Sequence, residues 1–230
     1  MLTILSGMGF LLLTLAVFSL FSLKFPKGSQ AMSGLANAAV ASFLIEAVHK
    51  YITGDLLGIA FLGQVGATAG SLSGVAAGIM VPLSMGVNPV FAVVGGLACG
   101  GYGILPGFIA GYLIGLVAPY IEKYLPTGLD LILGSLTIAP LARLLAFAVD
   151  PAVNSVLNLI GGTISAAADQ SPLVMGFLLG GIMKMICTSP LSSMALTAML
   201  GLTGLPMGIA AIACFGGSFT NGMVFHKMGY

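Results

Sequence analysis

The chain has 230 residues, of which 58% are hydrophobic and only 6% are charged, and its formal net charge is +1. Because a soluble domain carries about 25% charged residues, so few charges could not solvate the surface of a globule of this size. The near-neutral balance also excludes a basic surface of the kind that binds nucleic acid. The composition therefore predicts an all-α, polytopic helix bundle embedded in a lipid bilayer, with residues 1–230 forming a single transmembrane domain.

The N-terminal part of the chain predicts two membrane-crossing helices. Residues 2–23 form an apolar run that is long enough to cross about 30 Å of hydrocarbon. This run lacks a basic n-region and is too long for a typical signal peptide, so we expect a first span rather than a cleaved leader. Residues 31–50 predict the second helix, near whose end Glu46 and His49 lie three positions apart on one face. They could form a pair for ion or proton coupling, or they could mark the headgroup boundary where the helix ends.

Residues 56–81 and 103–121 predict two further helices, and each region carries glycine at every fourth position. This spacing places the glycines on one helical face, where another backbone can approach closely in lipid. The rows are offset by 37 residues, and two prolines recur at the same offset. We interpret residues 1–121 as an N-terminal half with a glycine-zipper repeat and a duplicated helix pair. The alternative to duplication is that the two rows match by chance. The glycine faces could pack within one chain or between two. The glycines are Gly66, Gly70, Gly74 and Gly78, then Gly103, Gly107, Gly111 and Gly115; Pro82 and Pro89 match Pro119 and Pro126.

The segments beside the second glycine row are interrupted. Residues 89–101 are short and glycine-rich, which is typical of a broken or re-entrant helix. Residues 129–149 predict a span. Asp150 and Pro151 then predict the N-cap and the first position of a new helix. This helix is amphipathic, with Asn158 on its polar face, so we expect it to lie at the interface or to line a polar cavity.

Residues 172–187 and 204–225 predict two more spans, for a total of about seven or eight full crossings. Residues 188–203 are too polar and too short to cross, so we expect a re-entrant hairpin. Pro190 breaks the helix there and frees backbone groups that a cavity, water or a ligand must satisfy. The hydroxyl groups beside it either bind an uncharged polar solute or satisfy their own backbone. These hydroxyl residues are Thr188, Ser189, Ser192 and Ser193.

Two cations complete the predicted substrate site. Arg143 lies within the span 129–149, where its planar guanidinium could bind a ligand, pair with Asp150 or snorkel to the membrane surface. Lys184 directly precedes the hydroxyl run. We therefore predict that the substrate is bound by Lys184, Arg143, Asn158 and the four hydroxyl residues.

The sequence carries no recognisable motif for catalysis, a metal or a cofactor. Its two histidines are far apart, and its three cysteines have no CxxC spacing. It has neither a GxSxG nor a Walker motif. We therefore expect a transport protein rather than an enzyme, with no cofactor and no bound metal.

The motifs after Leu125 follow a distinctive order. They are TGLD at residues 127–130, Pro140, Asp150 with Pro151, SPLVMG at residues 171–176, TSPLSS at residues 188–193 and LGLTGL at residues 200–205. In this order residues 122–230 resemble the IIC-type membrane subunits of the bacterial sugar phosphotransferase system. Among those subunits they resemble most the stand-alone IIC-like branch that includes perfringolysin-regulator-like proteins.

The resemblance implies a multi-pass protein of the bacterial inner membrane, a homodimer with re-entrant hairpins around a site for a small solute. It also implies separate IIA- and IIB-type subunits for any phosphotransfer, since the sequence contains no such domain. Members of the branch are longer at the C-terminus, so we expect a short member or a missing final portion. We expect a permease that moves a small polar, sugar-like solute by alternating access. The alternatives are a membrane-embedded sensor or regulator without transport, and an ion-coupled channel or carrier.

Overall fold

The computed structural model describes residues 2–125, 129–187, 202 and 204–229, and every regular element among them is a helix. This confirms the all-α prediction. Two of the elements are π-helices, designated π1 and π2. In chain order the elements are α1 (Leu2–Lys24), α2 (Gly28–Ala39), π1 (Val40–Leu44), π2 (Glu46–Leu56), α3 (Ala60–Ser71), α4 (Ser73–Ser84), α5 (Pro89–Ala98), α6 (Ile104–Tyr124), α7 (Asp130–Gln170), α8 (Pro172–Cys187) and α9 (Gly204–Lys227).

Several of these helices are suited to a bilayer by length and composition. Four of the described helical stretches are long and apolar enough to cross it: Gly28–Leu56, Ile104–Tyr124, Asp130–Ile164 and Leu205–Val224. The α3–α4 pair forms a fifth candidate span, bent by 59°. Large apolar side chains lie exposed along the helices, as lipid-facing residues do. Examples are Leu23, Phe61, Phe177 and Ile212. A polytopic helical membrane protein is thereby confirmed, whereas the crossing of α1 stays a prediction.

The third predicted helix is broken rather than continuous. The break falls at Leu72, where the backbone leaves helical geometry between Ser71 and Ser73. Glycine and serine surround this point, and both are poor helix formers that commonly occur at kinks. The first glycine row is therefore divided, with Gly66 and Gly70 on α3 and the other two glycines on α4.

The prediction of a new helix at residue 150 is wrong. Asp150 lies inside α7, and both Pro140 and Pro151 are interior residues of this one helix of 41 residues. A proline removes one backbone donor, but a complete break would leave more backbone groups without partners in lipid. The chain therefore remains helical through both prolines, and two predicted elements become one.

The described helices form two compact units, one of residues 22–154 and the other of residues 1–21 with 155–230. In the first unit, α4 and α6 run parallel, because their contact partners advance together along both helices. Gly74 contacts Gly107, and a Cβ atom on Gly111 would lie 3.2 Å from the Cα atom of Gly78. The two glycines of the first row that lie on α4 thus pack against Gly107 and Gly111 of the second row within a single chain.

The core of the 22–154 unit lies where α5, α6 and α7 meet. Phe91, Ile114 and Ile138 are fully buried there, one from each helix. Gly134 on α7 lies against the ring of Phe91. Asn88 fixes the start of α5, because its side-chain oxygen accepts a hydrogen bond from the backbone N–H of Val90 at 2.9 Å.

In the other unit, α8 packs against α9. The buried face of α8 carries Met175, Leu179 and Met183. Gly180 on the same helix lies near Ile209 and Ala213 of α9, where an added Cβ would fit at 3.7–3.8 Å. The two helices are therefore in ordinary van der Waals contact along an apolar surface, and any polar group within that surface requires an explanation.

Candidate functional site

Lys184 on α8 is the polar group within the α8–α9 contact. Its Nζ atom donates hydrogen bonds to the backbone carbonyl of Gly217 at 2.5 Å and to the side-chain oxygen of Asn221 at 2.7 Å. Gly217 and Asn221 are four residues apart on α9, so both face the same helix. The carbonyl of Gly217 also accepts the hydroxyl of Thr220 at 2.9 Å. These four residues form a half-buried polar cluster, which we call the Lys184 cluster.

Gly217 is the residue that allows this arrangement. A Cβ atom there would lie 2.6 Å from Cδ and 2.9 Å from Nζ of Lys184. The neighbouring Gly216 has no atom within 4 Å of its Cβ position. The absence of a side chain is therefore required at Gly217 alone, where the lysine stem lies directly on the α9 backbone.

The other predicted substrate residues cannot all be compared with this cluster. Residues 188–201 and 203 lie outside the described part of the chain, and with them the hydroxyl run and the predicted re-entrant hairpin. Asn158 is exposed on α7, and no hydrogen bond joins it to Lys184 among the described residues. Substrate binding by these residues stays a prediction.

Arg143 occupies a different environment, in the 22–154 unit. Its Nη1 atom donates to the backbone carbonyls of Ala98 at 3.2 Å and Gly100 at 2.5 Å, where α5 ends. Its guanidinium also stacks on the ring of Tyr102, 4.4 Å from the centroid. Helix C-termini leave unpaired carbonyls that attract cations. Arg143 therefore caps α5, and its described contacts do not include the predicted partner Asp150.

Glu46 and His49 lie on π2, which continues past Lys50 to Leu56, so the interpretation that they end a helix is wrong. Glu46 forms an ion pair with Lys50 at 3.0 Å. His49 has a buried Nδ1 atom without a hydrogen-bond partner in the part of the chain that the structure describes. π-Helices are rare and often occur at functional sites.

The α3 helix covers this charged segment through its glycines. Gly70 lies against the carboxylate of Glu46, and Gly66 lies against the backbone at Lys50. This half of the first glycine row packs on π2 rather than on α6. The glycine face therefore brings α3 against ionisable residues, which spacing alone did not predict.

Two partner residues were not singled out from the sequence. Gly217 is the first; the only signal was its place in a glycine pair four positions before Asn221. Tyr102 is the second, an aromatic residue between glycines in the turn after α5. Neither pattern identifies a cation as the partner, because the cations come from helices distant in sequence.

The fold and these clusters define a polytopic helical membrane protein in which backbone carbonyls hold cations between apolar helices. The chain belongs to the phosphotransferase system EIIC family, since the family model described as "Phosphotransferase system, EIIC" matches residues 29–229. It is thus a membrane permease component of a sugar-transport system. No curated protein and no solved structure matches the chain.

Proposed function

We propose that the chain conducts a small polar, sugar-like solute by alternating access and that the Lys184 cluster contributes to its binding site. The observation that carries this proposal is the hydrogen bonding of Lys184 to Gly217 and Asn221 between two apolar helices. Ionisable residues inside membrane segments are costly and commonly mark substrate pathways. The hydroxyl run at residues 188–193 begins four residues after Lys184 in the sequence, which supports a shared site.

Counterflow in proteoliposomes tests this function. Vesicles are loaded with a panel of unlabelled sugars and polyols, and entry of the labelled solute is followed. We expect exchange for at least one solute, with slower exchange for Asn221→Ala and Ser192→Ala. Gly216→Ala serves as the control, because nothing contacts that position. The absence of exchange for every solute, with correctly inserted protein, would refute the proposal.

We further propose that the protein is a homodimer of the bacterial inner membrane and a member of the stand-alone IIC-like branch. IIA- and IIB-type subunits, if they act with it, are separate chains. The family match supports these statements only at the level of the IIC-type component. Mass photometry in nanodiscs tests the dimer, and a purely monomeric distribution at working concentration would remove it.

Ion-coupled transport is a second candidate, favoured by the unpartnered Nδ1 atom of His49. The other titratable residues of π2 are Glu46, Lys50, Tyr51 and Asp55, whereas α3, which packs on π2, contributes none. If protons couple to transport here, solute exchange should drive proton movement in liposomes, and His49→Gln should uncouple the two. Exchange that is equal at all pH gradients would exclude this role.

A further inference from the structure

We propose that Lys184 binds an anionic group, a carboxylate or a phosphate, so that the solute at this site carries negative charge. This inference rests on the proposed function, because it assigns a charge to the solute that binds at the Lys184 cluster. It differs from the expectation of an uncharged solute that the hydroxyl run alone suggests.

The first argument is the nature of the partners of Lys184. Both described acceptors, the Gly217 carbonyl and the Asn221 amide oxygen, are neutral. They hold the ammonium in place through two of its three donors, but they do not cancel its charge. In the described part of the chain, Lys184 forms no ion pair, in contrast to Lys50 with Glu46.

The second argument comes from the sequence around the cluster. Residues 171–230 contain neither Asp nor Glu. The whole unit of residues 1–21 and 155–230 contains a single acidic residue, Asp169. Asp169 precedes the start of α8 at Pro172, and Lys184 lies twelve residues further along that helix. At 1.5 Å per residue, Lys184 therefore lies about 18 Å along α8 from the start of that helix.

The third argument is the charge balance of this unit. Its fixed cations are Lys184 and Lys227, and Asp169 is its only carboxylate side chain. Lys227 ends α9, about 9 Å along the helix from Asn221 at 1.5 Å per residue. A positive charge in an apolar environment is stabilised by a counter-ion, and the chain of this unit supplies none near Lys184. A bound anion would provide it.

Matched ligand pairs test the inference. Binding to the full-length protein in detergent is measured by isothermal titration calorimetry for gluconate against sorbitol and for glucose 6-phosphate against glucose. We expect the anionic member of at least one pair to bind at least tenfold more tightly than its neutral counterpart. This preference should weaken with added salt, because charge attraction is screened.

Two variants connect the preference to Lys184. Lys184→Met removes the charge while keeping the stem, so we expect it to abolish the tenfold preference. Asn221→Asp keeps the hydrogen bond and adds a carboxylate beside Nζ, so the cluster still folds but is neutral. It should reduce anion affinity at least tenfold. Gly216→Ala should change neither.

The outcomes separate this inference from the proposed function. If neutral solutes bind or exchange as well as their anionic counterparts, and Asn221→Asp has no effect, the inference is wrong while the permease function stands. If no solute of either class binds or exchanges, both fail. If anions bind but the preference survives Lys184→Met, the anion site lies elsewhere and the inference is also overturned.

An anionic lipid headgroup has the same chemistry as a solute anion, so the source must be distinguished. Thermal unfolding is compared in nanodiscs of phosphatidylcholine with and without phosphatidylglycerol. If phosphatidylglycerol raises the melting temperature of the wild type but not of Lys184→Met, and soluble anions do not, the anion is a headgroup. If gluconate or glucose 6-phosphate raises it in both compositions, the anion is the solute.

Discussion

Gly74 on α4 and Gly107 on α6 lie in direct backbone contact, since a Cβ atom on Gly107 would overlap the carbonyl group of Gly74. The two residues are 33 positions apart, whereas the glycine rows repeat at an offset of 37. The parallel helices are therefore staggered by about one turn relative to the sequence repeat. This contact places the α4 half of the first row against the second row inside one chain.

Gly107→Ala tests that contact. The added methyl group would meet backbone atoms that cannot rotate away, so we expect a loss of about 1–3 kcal/mol of stability. The matched control is Gly103→Ala in the same row, where the nearest atom to the new Cβ is Cδ of Pro106 at 3.9 Å. Thermal unfolding in detergent, monitored by size-exclusion chromatography, measures both. Equal melting temperatures for the two variants would contradict the packing.

Gly217→Ala tests the close approach of Lys184 to α9. The new methyl group would push the ammonium away from the Gly217 carbonyl and weaken the α8–α9 contact, by about 1–3 kcal/mol for overpacking and a lost bond together. Gly216→Ala is the control one residue away, with open space at its Cβ position. The same unfolding assay applies. A larger effect at Gly216 than at Gly217 would show that the lysine does not lie on this backbone.

Arg143→Gln separates a capping role from a ligand role. The bonds to Ala98 and Gly100 and the contact with Tyr102 would be lost, so we expect about 1–2 kcal/mol of destabilisation. Solute affinity should stay within twofold, because the described contacts of Arg143 are to its own chain. A double-mutant cycle with Tyr102→Leu measures the stacking. A large loss of affinity without loss of stability would instead make Arg143 a ligand residue.

Tyr112→Phe tests how the loop before α2 is held. The hydroxyl of Tyr112 donates to the carbonyl of Pro26 at 2.9 Å, and its removal should cost about 1 kcal/mol. Tyr120→Phe is the control, because Tyr120 is 65% exposed on the same helix. Protease cleavage in the loop around Lys27 provides a local readout. If both variants are cleaved at the wild-type rate, the hydroxyl does not hold the loop.

The break in the third predicted helix was only partly predictable. The residues around Leu72 carry glycine and serine on both sides, which indicates a weak helix. Glycine also recurs within α6, at Gly107, Gly111 and Gly115, yet that helix stays continuous. The break at Leu72 follows from packing, because the residues before it, in α3, pack on π2, while those after it, in α4, pack on α6. Two separate packing surfaces at an angle require a bend that local propensity merely permits.

The sequence by itself determined that this protein lies in a lipid bilayer and that its secondary structure is helical. With 6% charged residues and long apolar runs, the backbone can satisfy its hydrogen bonds in lipid only within helices. Most helix positions followed from that constraint, and α8 begins and ends where the apolar pattern predicted.

Only the tertiary structure decided the partners of the polar residues. Arg143 donates hydrogen bonds to carbonyls at the end of α5, and Lys184 donates to Gly217 and Asn221. Glu46 forms an ion pair with Lys50 and lies against Gly70. The sequence indicates that a polar side chain in the bilayer needs a hydrogen-bond partner, but it does not indicate which helix supplies that partner. Of these contacts, those made by Arg143 and Lys184 join residues more than 30 positions apart in the sequence, so they depend on how the helices pack rather than on local spacing.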